Sequence, residues 1–430
     1  MGAAKVEAGI QIVYDRVLKK IHQKQMSGTP KTFFSNSAPI HNMEDHIEYS
    51  RNTLMDFIKL KPKDIEICDV TLRDGEQAAG IAFTEQEKID IARKLDAVGV
   101  EIIEAGFPVV SKEELETIRK ITKLGLNARI CCLARAKTSD IDAALDANVD
   151  IVSVFIATSD IHLRYKHHMT IDEATDCAID VLDYAKDHGL AVRFAAEDAT
   201  RTDMSVLKQV YQIAEAHNAD YLSIADTVGI LDPSTTYFMI KEIKKATNTP
   251  LCIHCHNDLG MATANTIVAA ETGATQLHAT VNGIGERVGN TPLEELLTGL
   301  LIQYGIDKYD LSQLLSLSKM VEKYSGVRVA KTKPIVGENA FCHESGIHIA
   351  AMLENTSTYE VFSPELVGGG RNYIIGKHTG KKALKFVTER LGYDLDQDRL
   401  CTLLDKIKVC SEAKHGVSCD RLAKMIDEMD

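Results

Sequence analysis

Between residues 65 and 306 the chain repeats one pattern eight times: a short apolar run followed by a helical segment. The runs fall at 65–70, 100–105, 128–133, 151–157, 191–196, 221–225, 251–256 and 278–282, and amphipathic helical spacing is clearest at 84–98, 172–188 and 292–304. Near-continuous apolar strands alternating with helices imply a parallel sheet covered on both faces. Eight such units in about 240 residues suit a closed (β/α)8 TIM barrel better than an open doubly wound sheet. No G-x-G-x-x-G follows the first run, which argues against a dinucleotide-binding fold. The expected class is α/β, with a helical N-terminal extension over 1–64, the catalytic barrel over 65–306, and a loop-rich and helical C-terminal subdomain over 307–430. The extension shows helical apolar spacing at Ile10, Val13, Val17 and Ile21, broken at 27–30.

Composition narrows the function. The 49 Lys and Arg against 62 Asp and Glu leave a net charge of -13, unlike a non-specific nucleic-acid or anionic-membrane binder. No apolar run reaches the length of a membrane span. Ten Cys in 430 residues, several inside apolar runs, form no disulfide framework, and the N-terminus has no signal-peptide apolar region, so the reading is cytoplasmic. Small molecules are the expected partners.

In a parallel barrel the chemistry gathers at the C-terminal ends of the strands. The first ends in Arg73-Asp74, where a guanidinium and a carboxylate can hold a substrate oxygen and a divalent ion side by side. The seventh ends in His254-Cys255-His256, and residues two apart on a strand face the same way, so both imidazoles can reach one ion. The eighth runs into a glycine-rich loop ending in Asn290, a neutral oxygen ligand. Glu197 follows the fifth strand and can orient or polarise a reacting group, and Thr227 follows the sixth and can bind a carboxylate. After the fourth come His162, Arg164, Lys166, His167 and His168, two fixed cations and three imidazoles that read as an anion site. In the tail, His343 and His348 are candidate acid/base groups.

The segments TLRDGEQ, IEAGFP, FIATSDIH, EDATR, ADTVG, IHCHNDLG, NGIGERVGN and FCHESGIH, in this order over about 65–390, resemble the isopropylmalate synthase, homocitrate synthase and Re-citrate synthase family. That resemblance implies a metal-dependent Claisen condensation of acetyl-CoA with a 2-oxo acid, followed by thioester hydrolysis. It implies metal ligation by Asp74, His254, His256 and Asn290, a keto oxygen polarised by Arg73, and a carboxylate held by Thr227. Glu197 would lie near the acetyl group. His348, with Tyr359 nearby, would deprotonate the acetyl methyl from the tail of a partner subunit, which requires a homodimer. The ligand set suits Mn2+ or Mg2+, with Zn2+ or Co2+ as alternatives.

The substrate reading favours oxaloacetate, as in Re-citrate synthases, with 2-oxoglutarate second and 2-oxoisovalerate third. The tail sequence SGIHIAA is closer to homocitrate-type enzymes, but Arg73-Asp74-Gly75 stands where many of those have Arg-Glu-Gly, the 64-residue lead-in resembles Re-citrate synthases, and a dicarboxylate needs a second cation. Arg164 is the candidate for that cation, supported by His162, with His167 and His168 in reserve. A metal-dependent retro-aldol lyase is the competing class. A biotin-dependent carboxyltransferase would place a Lys on the metal, and a non-catalytic descendant would have lost one of Arg73, Asp74, His254 or His256.

Overall fold

The computed structural model describes residues 62–376, 378–412, 417 and 419–429. The extension expected over 1–64 therefore lies outside the described residues, apart from 62–64. Eight parallel strands, β1 (Glu66–Asp69), β2 (Ile102–Glu104), β3 (Arg129–Arg135), β4 (Ile151–Ala157), β5 (Ala191–Glu197), β6 (Tyr221–Asp226), β7 (Leu251–Cys255) and β8 (Ala274–Ala279), pair in sequence order. Parallel pairing of β8 with β1, Ile67 beside Leu277, closes the barrel.

Eight helices cover it: α1 (Glu85–Val98), α2 (Lys112–Thr122), α3 (Thr138–Ala147), α4 (Ile171–Asp187), α5 (Met204–Ala216), α6 (Pro233–Ile243), α7 (Ala262–Thr272) and α8 (Leu293–Tyr304). Local chemistry sets their ends. Thr84 and Glu87 cap the start of α1 reciprocally, and Gly99 at φ +94° stops it. Among the described residues no helix is long and apolar enough to cross a membrane.

The last strand differs from the expectation of 278–282. It begins at Ala274, and Val281–Gly283 is a tight turn. Its polar residues explain the error: Gln276 and His278 are buried and meet Arg193, a fully buried cation on β5. The barrel axis carries a polar layer, so β8 lacks the apolar run that marks its neighbours. Cys252 and Cys255 stand in C-x-x-C spacing but lie on one extended strand, and burial pushes both thiols far up, so neither is poised for redox exchange.

Beyond the barrel, α9 (Leu314–Ser325) precedes a loop-rich stretch in which β9 (Cys342–His343) pairs with β10 (Asn372–Tyr373), with α10 (Gly346–Glu354) between them. Helices α11 (Lys381–Arg390), α12 (Gln397–Glu412) and α13 (Cys419–Asp427) share a separate apolar core that includes Leu384, Leu403, Ile407 and Leu422. Leu60–Ile349 and Pro364–Asp430 form one compact unit. Ala350–Ser363 belongs to a second, whose described part ends α10 and adds a turn over Thr356–Thr358 that Asn355 caps.

Candidate active site and metal centre

Asp74, His254 and His256 come together at the C-terminal mouth of the barrel, all buried, with potential ligand atoms within 4.8 Å of one another. His254 Nε2 lies 3.6 Å from an Asp74 oxygen and 3.4 Å from His256 Nε2. Ions that bind O and N donors at ~2.0–2.2 Å place adjacent donors roughly 3 Å apart, so this spacing fits one shared cation. Burial, reinforced by His254, pushes His256 down to about 4, leaving its ring neutral and able to ligate. The carbonyl of Gly289 lies 3.3 Å from His256 Nδ1, a contact that orients the ring and leaves Nε2 for a metal.

Asn290 completes the set. Its Nδ2 donates to Asp74 at 2.7 Å, and its Oδ1 is buried without a hydrogen bond, as a ligand oxygen would be before an ion arrives. Gly285, at φ +154°, lets the loop close over this pair, since a Cβ there would collide with both Asn290 and Asp74. The residues fit a divalent ion.

Charge around the centre is tightly compensated. Arg73 donates to Asp74 at 2.6 Å and also to Glu104. Burial opposes ionisation of Asp74, but Arg73 and His254 outweigh it and hold the carboxyl well below the usual range. Glu104, equally buried, is held down by Arg73 and Arg193 together. Arg193 is pinned from below, by Nε to Ser153 at 3.1 Å and NH1 to Gln276 at 2.7 Å.

Arg73, Asp74, Glu104, Arg193, His254 and His256 line a cavity of about 310 Å³. Its wall includes Glu197 and Thr227, and Thr227 Oγ1 accepts from the Asp198 amide at 2.8 Å, which orients the hydroxyl. Ser153, Ser223, Ala195, Ala225 and His278 line it with Arg193, and Leu133 and Phe155 add apolar surface.

Other expected site residues lie elsewhere. Arg164 is exposed and lines a separate surface depression with Asp160 and Glu173, not the cavity. It sits on the outer side of the loop, and Lys166, two residues on, takes the inner side. His162 is half-buried beside Glu197 and Asp198, 3.9 and 3.8 Å away, and does not line the cavity. His167 is half-buried and His168 exposed on the same turn. Among the described residues, all that line the cavity precede Val288, so His343 on β9 and His348, exposed on α10, are not among them. Tyr359 is exposed and lies in the second compact unit.

Sequence reasoning missed Glu104 and Arg193, and it counted Lys166 only among the cations of the anion site. Arg193 had a readable signal: one charge inside an otherwise apolar strand run, Ala191-Val192-Arg193-Phe194.

Comparison with known proteins places the chain. Residues 64–321 match the HMGL-like family and residues 335–415 match the homocitrate synthase post-HMGL domain-like family. The chain is 56% identical over 389 residues to homocitrate synthase AksA of Methanosarcina mazei, covering 90% of this chain and 96% of that protein. It is 47% identical over 372 residues to 2-isopropylmalate synthase of Methanocaldococcus jannaschii, covering 85% of this chain and 72% of that one. The crystal structure of Bacillus subtilis HMG-CoA lyase superposes with a TM-score of 0.58 at 21% identity, covering 63% of this chain and 96% of that chain, a likeness of fold. The chain belongs to the HMGL-like family, among its metal-dependent enzymes that condense acetyl-CoA with a 2-oxo acid.

Proposed function

We propose that this protein condenses acetyl-CoA with 2-oxoglutarate and releases homocitrate and coenzyme A. The observation that carries the choice of substrate is the fixed charge of Arg193 in the cavity, where it stands beside Ser153, Ser223, Ala195 and Ala225 as well as Leu133 and Phe155. Two arginines, Arg73 and Arg193, face two carboxylates, Asp74 and Glu104, so a bound divalent ion leaves two positive charges. A 2-oxo dicarboxylate neutralises both; 2-oxoisovalerate leaves one uncompensated in a buried site, which is costly. The likeness to homocitrate synthase AksA over nearly its whole length supports 2-oxoglutarate over oxaloacetate, the reading first favoured from sequence.

Asp74, His254, His256 and Asn290 would hold the ion, Mn2+ or Mg2+ by donor chemistry, and when bound it supplies Lewis acidity toward the 2-oxo acid. Arg73 stands beside that position and stabilises negative charge developing on the keto oxygen. Thr227 presents its hydroxyl to a substrate carboxylate, and Arg193 with Ser153 and Ser223 receives the distal one in place of Arg164. His348, from a partner subunit's tail in a homodimer, takes a proton from the acetyl methyl, assisted by Tyr359. The resulting carbon attacks the keto carbon, and water then cleaves the thioester to free coenzyme A.

Thiol release from acetyl-CoA, measured with a panel of 2-oxo acids and Mn2+ or Mg2+, tests the reading. The largest kcat/KM belongs to 2-oxoglutarate, with homocitrate identified by mass. Preference for 2-oxoisovalerate, or for oxaloacetate, contradicts it.

A further inference from the structure

The turn after β4 divides its two fixed cations, and the inner one engages a residue of the cavity wall. Lys166 Nζ donates to both oxygens of Glu197, at 2.6 and 2.7 Å, from the turn after β4 to the end of the neighbouring strand β5. Both residues line the cavity. The Lys166 side chain is 45% exposed and that of Glu197 only 19%, so the lysine reaches inward from the rim.

The backbone sets this direction. Leu163–His167 is a single π-helical turn, a form that collects at functional sites, and His168 ends it at φ +56°, a conformation unusual for a residue with a side chain. The base of the turn is fastened to the β5 loop, by Thr158 Oγ1 to Thr202 Oγ1 at 2.7 Å and by Ser159 to Asp198. With its base fixed, the turn aims Lys166 at Glu197 and leaves Arg164 outside.

We propose that Lys166 is a positioning residue for the condensation: it holds Glu197 as an oriented anion in the mouth, where the acyl donor is bound. This rests on the acetyl-CoA condensation proposed above. A lone Glu at a strand end samples several rotamers. Two charge-assisted hydrogen bonds to one ammonium select one of them. Each Glu197 oxygen accepts one of these bonds, so Glu197 acts through a fixed charge and direction. The rival role for Lys166 is to grip a substrate carboxylate itself, and the two roles separate kinetically.

The test uses the full-length, metal-loaded enzyme with acetyl-CoA and whichever 2-oxo acid the wild type turns over best. Running it on that acid keeps an error in the substrate assignment apart from an error about Lys166. Lys166→Met lowers kcat by about 10- to 100-fold, the scale of a misplaced catalytic group. The KM for the 2-oxo acid stays within about twofold, because its binding groups are untouched. Lys166→Arg restores most of kcat. Lys166→Met combined with Glu197→Gln is no worse than the poorer single variant, since both remove the same contact. The proposal is overturned by an unchanged kcat in Lys166→Met, by a loss confined to the KM for the 2-oxo acid, or by additive losses in the double variant.

Discussion

The barrel mouth and the tail both carry histidines with chemical potential, and they hold them in opposite ways. At the mouth, His254 and His256 are each 7% exposed, locked by a strand, an aspartate and each other. In the tail, His343 sits on a two-residue strand and His348 on an exposed face of the nine-residue helix α10. Buried, mutually constrained donors suit a metal centre, which needs fixed geometry before substrate arrives. An exposed imidazole such as that of His348 suits proton transfer once another surface brings substrate to it. On the proposed function, the difference teaches that binding and proton removal are housed in separate parts of the fold, which a homodimer would unite.

The largest expected effect comes from the mouth. His254→Ala abolishes turnover, and dialysis against a chelator does the same to the wild type until Mn2+ or Mg2+ is returned. Thiol release and metal content by mass spectrometry check this, with circular dichroism confirming the fold. Full activity of metal-free enzyme would break the comparison at its first half.

Next is the tail. His348→Ala lowers kcat by about 10²–10⁴, the range for a general base, while the 2-oxo acid still binds at the mouth, as calorimetry would show. Loss of 2-oxo acid binding in that variant would mean the two regions do not divide the work.

A smaller effect sharpens the contrast between the mouth and the barrel wall. Asp69 and Asp74 lie five residues apart and are both buried, yet their carboxyls shift in opposite directions. Asp74 is held ionised by Arg73. Asp69 is pushed up to about 7 by burial, its Oδ2 without a hydrogen bond. The folded protein keeps the Asp69 proton up to about pH 7, whereas the unfolded chain releases it near pH ~3.9. Stability from this group is therefore present at low pH and lost as pH rises through that window. At ~1.4 kcal/mol per pH unit the loss is a few kcal/mol by order of magnitude. Asp69→Asn flattens this part of the profile, and denaturant melts from pH 4 to 8 measure it. An unchanged slope in Asp69→Asn would contradict the assignment.

The smallest effect is expected at Arg164. It lies on the surface outside the cavity, so Arg164→Leu changes stability by no more than about 0.5 kcal/mol and leaves the ranking of 2-oxo acids unchanged. A selective loss of the dicarboxylates in that variant would return Arg164 to the site.

Much of this was legible in the sequence, for identifiable reasons. Seven strands announce themselves because their buried outer faces require apolar runs. The eighth was misplaced because Gln276 and His278 serve Arg193 on the barrel axis instead of an apolar core. The spacing of His254 and His256 exposes a shared ligand because a strand has a two-residue period, and the structure brings Asp74 and Asn290 to them. Glu104 and Arg193 stayed hidden inside apolar runs, where a charge is stable only through partners distant in sequence. The choice between Arg164 and Lys166 depended on one π-helical turn, which no periodicity announces. The substrate was the least readable feature, since oxaloacetate and 2-oxoglutarate differ by one methylene and share the same charge.

The most direct test of the division between mouth and tail is subunit complementation. His348→Ala chains keep an intact mouth and Arg73→Ala chains keep an intact tail, and each is inactive alone. Mixing them and isolating heterodimers by orthogonal tags should restore thiol release, because one composite site then combines a sound mouth with a sound tail from the other chain. No recovery in verified heterodimers would contradict the account and mean that each tail serves its own barrel.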